Sequence, residues 1–215
     1  MVIDIKGSDG KQRRILTDPG SYSIEQHDKI KHADIVLITH EHQDHFHVES
    51  LKALIKRAPD ASIFTNDTVG EILAKEGIEH RIMKHGDAID HKGIHIEAYG
   101  KKHALMHKSI PQSSNVGFLL TEVRPTEVRP PCLFFPGDAF TDPKRSIDVL
   151  ALPTAGPWMK ISEPIDYALE LKPRMAFPVH DAFGGGFQNM FIEKILSQNG
   201  IEFVKLEDVG EIELT

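Results

Sequence analysis

Short apolar runs of strand length alternate with helical segments along this chain, in two successive sets, and this alternation limits the fold more than any other feature. In the first set, strands are predicted at residues 14–18, 33–39, 62–65, 81–84 and 94–99, and helices at 48–57 and 69–75. In the second set, strands are predicted at 116–123, 132–135, 148–152 and 175–179, helices at 163–171 and 187–197, and a closing hairpin at 201–214. The pattern favours a mixed α/β fold over an all-α or all-β one.

The two sets are predicted to form one domain over residues 1–215, because no low-complexity linker separates them. The pentapeptide Thr-Glu-Val-Arg-Pro occurs twice in succession between two strands of the second set, at residues 121–125 and 126–130. Two copies of five residues are too short for a solenoid. We expect a hairpin loop without chemistry there.

The composition narrows the class of protein further. The chain has 25 Lys and Arg against 32 Asp and Glu, and the net charge of −7 argues against nucleic-acid partners and against a membrane surface. The single cysteine, Cys132, excludes an internal disulfide and a cysteine-based zinc cluster. The N-terminus shows no signal-peptide core, and no run approaches the roughly 20 apolar residues of a membrane span. We therefore expect a soluble, cytoplasmic protein.

Thirteen histidines accompany the one cysteine, and three of them lie in a cluster directly after the predicted strand at 33–39. Side chains two residues apart share a face of an extended chain, so His40 and His42 can reach one metal ion. Asp44 and His45 fall in the turn beyond and can reach another ion. Four metal-ligand side chains within six residues predict a metal site.

Three further candidate ligands follow other predicted strands. His103 comes after the strand at 94–99, Asp138 after the strand at 132–135, and His180 after the strand at 175–179. Sites in α/β proteins are built where strands give way to loops. We expect these side chains to complete a pair of metal sites.

The order of the motifs, His-x-His-x-Asp-His, then a single His, then a Gly-Asp pair and a last His, resembles the metallo-β-lactamase superfamily over residues 18–180. The resemblance implies a four-layer αββα sandwich with two metal ions at one edge between its halves. It also implies that His40, His42 and His103 bind the first ion and that Asp44, His45 and His180 bind the second. Asp138 is implied to bridge both ions. Residues 18–20, 115–119, 136–138 and 178–181 look like the branch that includes ascorbate-6-phosphate lactonase.

Two histidines are alternatives for the third ligand of the first ion. His107 lies four residues after His103 and is an alternative third ligand for the first ion. His103 is preferred because it comes first after the strand.

This ligand set predicts hydrolysis. Two neighbouring metal ions lower the pKa of a shared water, which predicts a bridging hydroxide as the nucleophile. Asp44 and Asp138 are the candidate catalytic residues, and Asp44 is expected to orient the hydroxide as well as bind metal. Imidazole and carboxylate ligands without thiolate favour zinc, with manganese or iron as alternatives.

The predicted function is therefore a dinuclear metal-dependent hydrolase that acts on a small-molecule ester, lactone or phosphoester. A nuclease or phosphodiesterase on the same scaffold is one alternative, against which the charge and the lack of a long exosite arm count. A metal-binding regulatory protein without turnover is another. Exposed strand edges leave a homo-oligomer open.

Several other side chains have two alternative predicted roles each. Lys101 and Lys102 are either substrate-anion contacts or a solvated pair, and Trp158 either walls the pocket or packs in the core. Asp181 either orients the neighbouring histidine or caps a turn, and the glycines at 184–186 are expected to be a flexible connector. The remaining histidines are predicted at the surface: His27, His32, His47, His80, His85, His91 and His95.

Overall fold

The first half of the chain forms a five-stranded sheet whose strand order follows chain order, in a computed structural model that describes residues 1–122, 130–182 and 185–205. The strands are β1 (Val2–Lys6), β2 (Gln12–Thr17), β3 (Ile35–Ile38), β4 (Ser62–Thr65) and β5 (Arg81–Ile82). The helices of this half are α1 (Ile24–Lys29), α2 (Val48–Arg57) and α3 (Asp67–Lys75). Strands β1 and β2 are antiparallel, whereas β2 to β5 pair in parallel.

The second half forms a seven-stranded sheet with the order β12-β11-β10-β9-β8-β7-β6. Its strands are β6 (Ala88–His91), β7 (Ile94–Tyr99), β8 (Gly117–Glu122), β9 (Cys132–Phe135), β10 (Val149–Pro153), β11 (Met175–Val179) and β12 (Glu202–Phe203). Its helices are α4 (Ser162–Leu171) and α5 (Gly185–Gln198). Strands β6 to β9 are antiparallel, and β9 to β12 pair in parallel.

Alternating side chains place the helices outside the two sheets. On β3, Ile35 and Leu37 pack with Phe118 of the second sheet, whereas Val36 and Ile38 pack against α2 and α3. In the second sheet, β10 directs Leu150 and Leu152 toward α4 and α5, and Val149 and Ala151 pack on the other face with residues of β9 and β11. The predicted four-layer αββα sandwich is therefore confirmed.

A side-chain cap fixes the start of α3. The Asn66 side-chain oxygen accepts a hydrogen bond from the Val69 backbone N–H at 2.9 Å, so this asparagine is the N-cap. The helix begins at Asp67, two residues before the predicted start. Gly77, with φ of +68°, follows the end of the helix, where glycine is common.

Three elements were not predicted from the sequence. Strand β1, the six-residue helix α1 and strand β6 lie in segments where the sequence pattern predicts no helix or strand. Strand β6 pairs with β7 across the turn at Lys92 and Gly93, both with positive φ. Conversely, the predicted strand at 81–84 is only two residues long.

The described part of the predicted closing hairpin contains one short strand. This strand, β12, pairs in parallel with β11. The rest of the predicted hairpin, after residue 205, lies outside the described residues, as do residues 123–129 of the repeated pentapeptide. No helix among the described residues is both long enough and apolar enough to cross a membrane.

Candidate metal centre

The candidate ligands come from loops that follow four strands at one edge of the sandwich. The loop after β3 carries His40, His42, Asp44 and His45, and the loops after β7, β9 and β11 carry the others: His103, Asp138 and His180. Strands β7, β9 and β11 run in the same direction, so the loops after them lie at one edge of the second sheet, where their ligands meet those of the loop after β3.

The side chains form three groups, and within each group the ligand atoms lie within 4.8 Å of one another. The groups are His40, His42 and His103; His40, His45 and Asp138; and Asp44, His45 and His180. Within the first group, His40 Nε2 lies 3.1 Å from His42 Nδ1. Within the third, His180 Nε2 lies 3.1 Å from Asp44 Oδ2.

Asp138 lies between the histidines of both sides. Its Oδ1 is 3.2 Å from His45 Nε2, and its Oδ2 is 3.3 Å from His103 Nε2 and 3.2 Å from His180 Nε2. This carboxylate is buried, with 2% of the residue exposed. Its two oxygens thus face ligand atoms of both predicted metal sites.

The donor set suits divalent metal ions. Nε2 of His45, Nε2 of His103 and Oδ1 of Asp138 are buried and have no hydrogen-bond partner among the described residues. Buried polar atoms without partners are rare and costly in proteins. Imidazole nitrogens and carboxylate oxygens that face one another without hydrogen-bond geometry match the ligands of zinc, manganese or iron.

Each of these imidazoles has one ring nitrogen that faces the cluster, and a contact at its second ring nitrogen fixes the orientation of the ring. Those contacts join His40 Nδ1 to Thr39 Oγ1, His42 Nε2 to Ser113 Oγ, His45 Nδ1 to Asp18 Oδ2, His103 Nδ1 to the Ala104 carbonyl, and His180 Nδ1 to the Ala155 carbonyl. A carbonyl or carboxylate oxygen only accepts, so His45, His103 and His180 each donate from Nδ1. Their Nε2 atoms are thereby left to face the centre.

Asp18 organises the loop after β3. Its Oδ1 accepts from the Thr39 backbone N–H, and its Oδ2 accepts from the Thr39 hydroxyl, both at 2.8 Å, as well as from His45 at 2.7 Å. Asp18 has a φ of +46°, an uncommon conformation for a residue other than glycine. Its position at the end of β2 was the only sequence signal for this role.

Trp158 contacts the centre directly. Its indole Nε1–H donates to Asp138 Oδ2 at 3.2 Å, and its ring lies edge-on to His103 with centroids 5.5 Å apart. The ring also packs against Phe140. Both readings from the sequence therefore apply, because the side chain is buried in the core and borders the metal centre.

A turn with close backbone contacts places Asp138. Its backbone N–H donates to the Asn115 side-chain oxygen at 3.1 Å, and Asn115 also donates to the Pro136 carbonyl. Gly137 has a φ of +65°, and a Cβ there would come within 2.8 Å of Thr39 Cβ. Glycine is therefore required between the end of β9 and the carboxylate.

The close packing shifts the pKa values of the cluster. Burial lowers the pKa of His45, but the nearby Asp138 carboxylate and the hydrogen bond to Asp18 raise it to about 10. Burial also opposes the effect of Asp138 at His180, whose pKa is raised to about 11. Burial and the neighbouring His45 hold the pKa of His40 well below its usual range. Although burial favours the protonated acid, the surrounding imidazoles hold the pKa of Asp138 well below its usual value.

The two alternative histidines occupy different environments. His103 is buried within the cluster, whereas His107 is exposed and its Nδ1 contacts Ser109 Oγ at 2.6 Å. Lys101 and Lys102 are exposed.

Other residues singled out in the sequence lie away from the ligand atoms. The Asp181 carboxylate accepts from Asn189, while the carbonyl of Ala155 orients His180. Gly185 and Gly186 begin α5, and residue 184 lies outside the described residues. The surface prediction is wrong for His27, which is 3% exposed and contacts Ser23 Oγ, because α1 packs it inward.

Comparison with known proteins agrees with this geometry. Residues 5–180 match the family model of the beta-lactamase superfamily domain. Protein Rv0786c of Mycobacterium tuberculosis is 36% identical over 171 residues, which cover 80% of this chain and 77% of that protein. Ta0764 of Thermoplasma acidophilum, named a UPF0173 metal-dependent hydrolase, is 25% identical over 148 residues, or 68% of this chain and 65% of that protein.

A solved structure shares the fold. A Parabacteroides distasonis protein with the provisional name of metal-dependent hydrolase superposes with a TM-score of 0.73 at 22% identity, over 95% of this chain and 97% of that chain. The family model covers most of the chain, and the sandwich places the motif residues together at one edge. This chain therefore belongs to the beta-lactamase superfamily and has the metallo-β-lactamase fold.

Proposed function

We propose that this protein is a dinuclear metal-dependent hydrolase that acts on a small ester, lactone or phosphoester. The observation that carries the proposal is the pair of ligand groups on either side of Asp138, whose two oxygens face both. The relatives named metal-dependent hydrolases support the reaction class. Lactones are included because residues 18–20 and 178–181 resemble the lactonase branch.

Seven side chains would hold the two ions. His40, His42 and His103 would bind the first ion, and Asp44, His45 and His180 would bind the second. Asp138 would lie between the two ions. We choose His103 over His107 because only His103 is buried in the cluster. Zinc suits these ligands, and manganese or iron are the alternatives. When bound, two such ions lower the pKa of a water between them and polarise the substrate oxygen.

The two carboxylates differ in exposure and therefore in proposed role. The Asp138 side chain is 3% exposed and lies among imidazoles, so it serves as a fixed ligand. The Asp44 side chain is 29% exposed, so it can orient an incoming water as well as bind metal. Burial raises the pKa of Asp44, but the hydrogen bond to His180 and the charges of His45 and His180 together lower it below its usual value. Both groups are therefore ionised carboxylates at neutral pH, which is the form that binds metal.

The proposed partner is a small molecule, and the proposed location is the cytoplasm, where thiols stay reduced and a chain with one cysteine needs no disulfide. The nuclease and the regulatory protein without turnover are the alternatives that the experiment must separate.

The test combines metal analysis, a substrate panel and matched variants. The purified protein is stripped with chelator, reloaded with zinc, manganese or iron, and assayed on esters, lactones, phosphoesters and a labelled oligonucleotide. We expect two ions per chain, and we expect His42→Ala, His103→Ala and Asp138→Ala to lower hydrolysis by at least about 100-fold. His107→Ala is the control and should keep both metal and activity.

Three outcomes would contradict the proposal. Full activity of Asp138→Ala, or of the wild type in chelator, would exclude metal-dependent catalysis at this centre. Two bound ions without turnover of any compound would favour a regulatory protein. Oligonucleotide cleavage without hydrolysis of the small substrates would favour a nuclease.

A further inference from the structure

A cavity of about 290 Å³ lies against the second ligand group of the metal centre. Asp44, His45 and His180 line one side of it together with Asp138. Its volume is at the lower end of the roughly 300–1,000 Å³ that small-molecule sites occupy. The cavity is therefore large enough for only a small substrate, held beside the proposed reacting centre.

Three large apolar or aromatic side chains also line the cavity. They are Phe135, the last residue of β9, Val179, the last residue of β11, and Tyr22, from the turn between β2 and α1. Phe135 is buried, whereas Tyr22 is 65% exposed. A substrate in the cavity thus contacts hydrocarbon as well as the ligands.

The cavity lining offers no cationic side chain to a substrate anion, because none of the described side chains that line it is a lysine or an arginine. Four carboxylates do line it, those of Asp18, Asp44, Asp138 and Asp181. Asp44 and Asp138 are proposed metal ligands, and Asp18 accepts from His45. The α-amino group of Met1 also borders the cavity, but it donates to the Thr17 carbonyl oxygen at 3.0 Å, and burial lowers its pKa.

A phosphoester places more demands on a site than a carboxylic ester does. Its non-reacting oxygens carry negative charge and are normally bound by arginine, lysine or oriented N–H groups as well as by metal. The acyl or alkyl part of an ester carries no charge, and burial of its hydrocarbon stabilises the complex. Apart from the metal centre, the described wall of this cavity offers hydrocarbon and no lysine or arginine, which suits the second kind of substrate.

From this geometry we infer that the substrate is an uncharged carboxylic ester or lactone whose apolar part occupies the cavity between the metal centre and Phe135 and Val179. The inference rests on the proposed hydrolase function and narrows its substrate class. In the reaction, the oxygen of water forms a bond to the acyl carbon and the acyl C–O bond breaks. One proton of water passes to the departing alcohol oxygen, and the other leaves when the carboxylic acid ionises.

The first experiment compares two homologous substrate series with two phosphoesters on the metal-loaded protein. The esters are p-nitrophenyl acetate, butyrate and hexanoate, and the lactones are γ-lactones with methyl, propyl and pentyl side chains. We expect kcat/KM to rise by up to about fourfold per buried methylene in at least one series. p-Nitrophenyl phosphate and bis-p-nitrophenyl phosphate should react at least 100-fold more slowly than the best ester or lactone.

The results separate this inference from the proposed function. Faster hydrolysis of a phosphoester, or flat rates along both series, would overturn the inference while leaving a metal-dependent hydrolase. Failure to hydrolyse any compound would contradict the proposed function. A binding experiment with hexanamide and the metal-free protein tests the cavity alone. Binding is detected by NMR shifts at Phe135 and Val179, and inorganic phosphate is the control ligand. Absence of those shifts would overturn the inference independently of turnover.

Two variants test the wall itself. Val179→Phe fills the cavity and should lower the ratio of kcat/KM for the longest to the shortest substrate by at least tenfold, whereas Ile82→Phe, at the end of β5, should leave that ratio unchanged. Tyr22→Arg introduces a cation at an exposed position and should raise phosphoester hydrolysis relative to ester hydrolysis at least tenfold, with Tyr22→Gln as its control. Unchanged ratios in both folded variants would overturn the inference.

Discussion

Each imidazole of the metal centre depends on a second group that fixes its ring. Metal ligands need one particular nitrogen free, and the hydrogen bond at the other nitrogen decides which one it is. Backbone carbonyls serve this purpose for His103 and His180, while a carboxylate serves it for His45. The strength of metal binding is therefore set partly by residues that are not ligands.

Asp18→Asn tests this dependence at His45. The amide keeps the shape of the carboxylate but loses the negative charge that faces His45 Nδ1 at 2.7 Å. We expect metal affinity at the second site to fall by about 10- to 100-fold, measured by competition with a chelating dye. Asp181→Asn is the matched control, because its carboxylate contacts Asn189. Equal affinities of the two variants would contradict this role for Asp18.

Trp158 offers a direct optical report on the centre. It is the chain's one tryptophan, and its indole N–H donates to Asp138. We expect Mn²⁺ or Co²⁺ to quench its fluorescence with a saturation point that equals the metal stoichiometry. Trp158→Phe, which removes only the N–H donor and part of the ring, should weaken metal binding by about tenfold. Phe140→Leu alters packing against the indole without touching the carboxylate, and its metal affinity should stay at the wild-type value.

At the scale of elements, the turn after β2 supports the loop after β3. The Ser21 N–H donates to the Gln43 carbonyl at 2.7 Å, and the His47 N–H donates to the Pro19 carbonyl at 3.0 Å. Gly20 lies where any side chain would overlap the Asp44 carbonyl. The ligand loop is therefore held by backbone contacts with its neighbour as well as by its own sequence.

Gly20→Ala should separate these two loops. The added Cβ would overlap backbone atoms, so the two loops must move apart. We expect the free energy of unfolding to fall by at least about 2 kcal/mol and metal binding to weaken. Gly186→Ala is the matched control in α5, where a Cβ meets nothing within 4 Å. It should stabilise the protein by about 0.5–1 kcal/mol. Urea denaturation of both variants measures the difference, and equal effects would exclude this account.

The sequence predicted the central elements better than the peripheral ones. Strands such as β3, β8 and β10 are buried on both faces and appear as continuous apolar runs, which are visible without a structure. Strand β1 and strand β6 are half-exposed edge strands with mixed residues, and α1 has only six residues, so each gives a weak periodic signal.

The candidate ligands were predictable because three of them follow strands and four share one motif. The supporting roles of Asp18 and Ala155 were not, since they depend on the approach of distant loops. The burial of His27 was missed for the same reason, because only the packing of α1 determines it.

At the scale of the whole molecule, His27 makes stability depend on pH. Burial and nearby positive charge lower its pKa from 6.5 to about 4, so the folded protein holds it neutral where the unfolded chain protonates it. Its contribution is fully present above pH 6.5 and is lost as the pH falls toward 4, by up to about 3 kcal/mol. We expect His27→Gln to flatten the fall in the free energy of unfolding between pH 6.5 and 4. The exposed His32→Gln should leave the slope unchanged, and an identical slope in all three proteins would contradict the assignment.

The distribution of ligands between the two sheets limits how the two halves of this protein can evolve. The loop after β3 supplies four ligands from the first sheet, and the second sheet supplies three from residues 103, 138 and 180. Neither half of the chain carries a complete set, and with one cysteine no disulfide cross-links the halves. The halves therefore cannot be exchanged or recombined separately without loss of the centre, so selection for the centre also preserves the packing of the two sheets against each other.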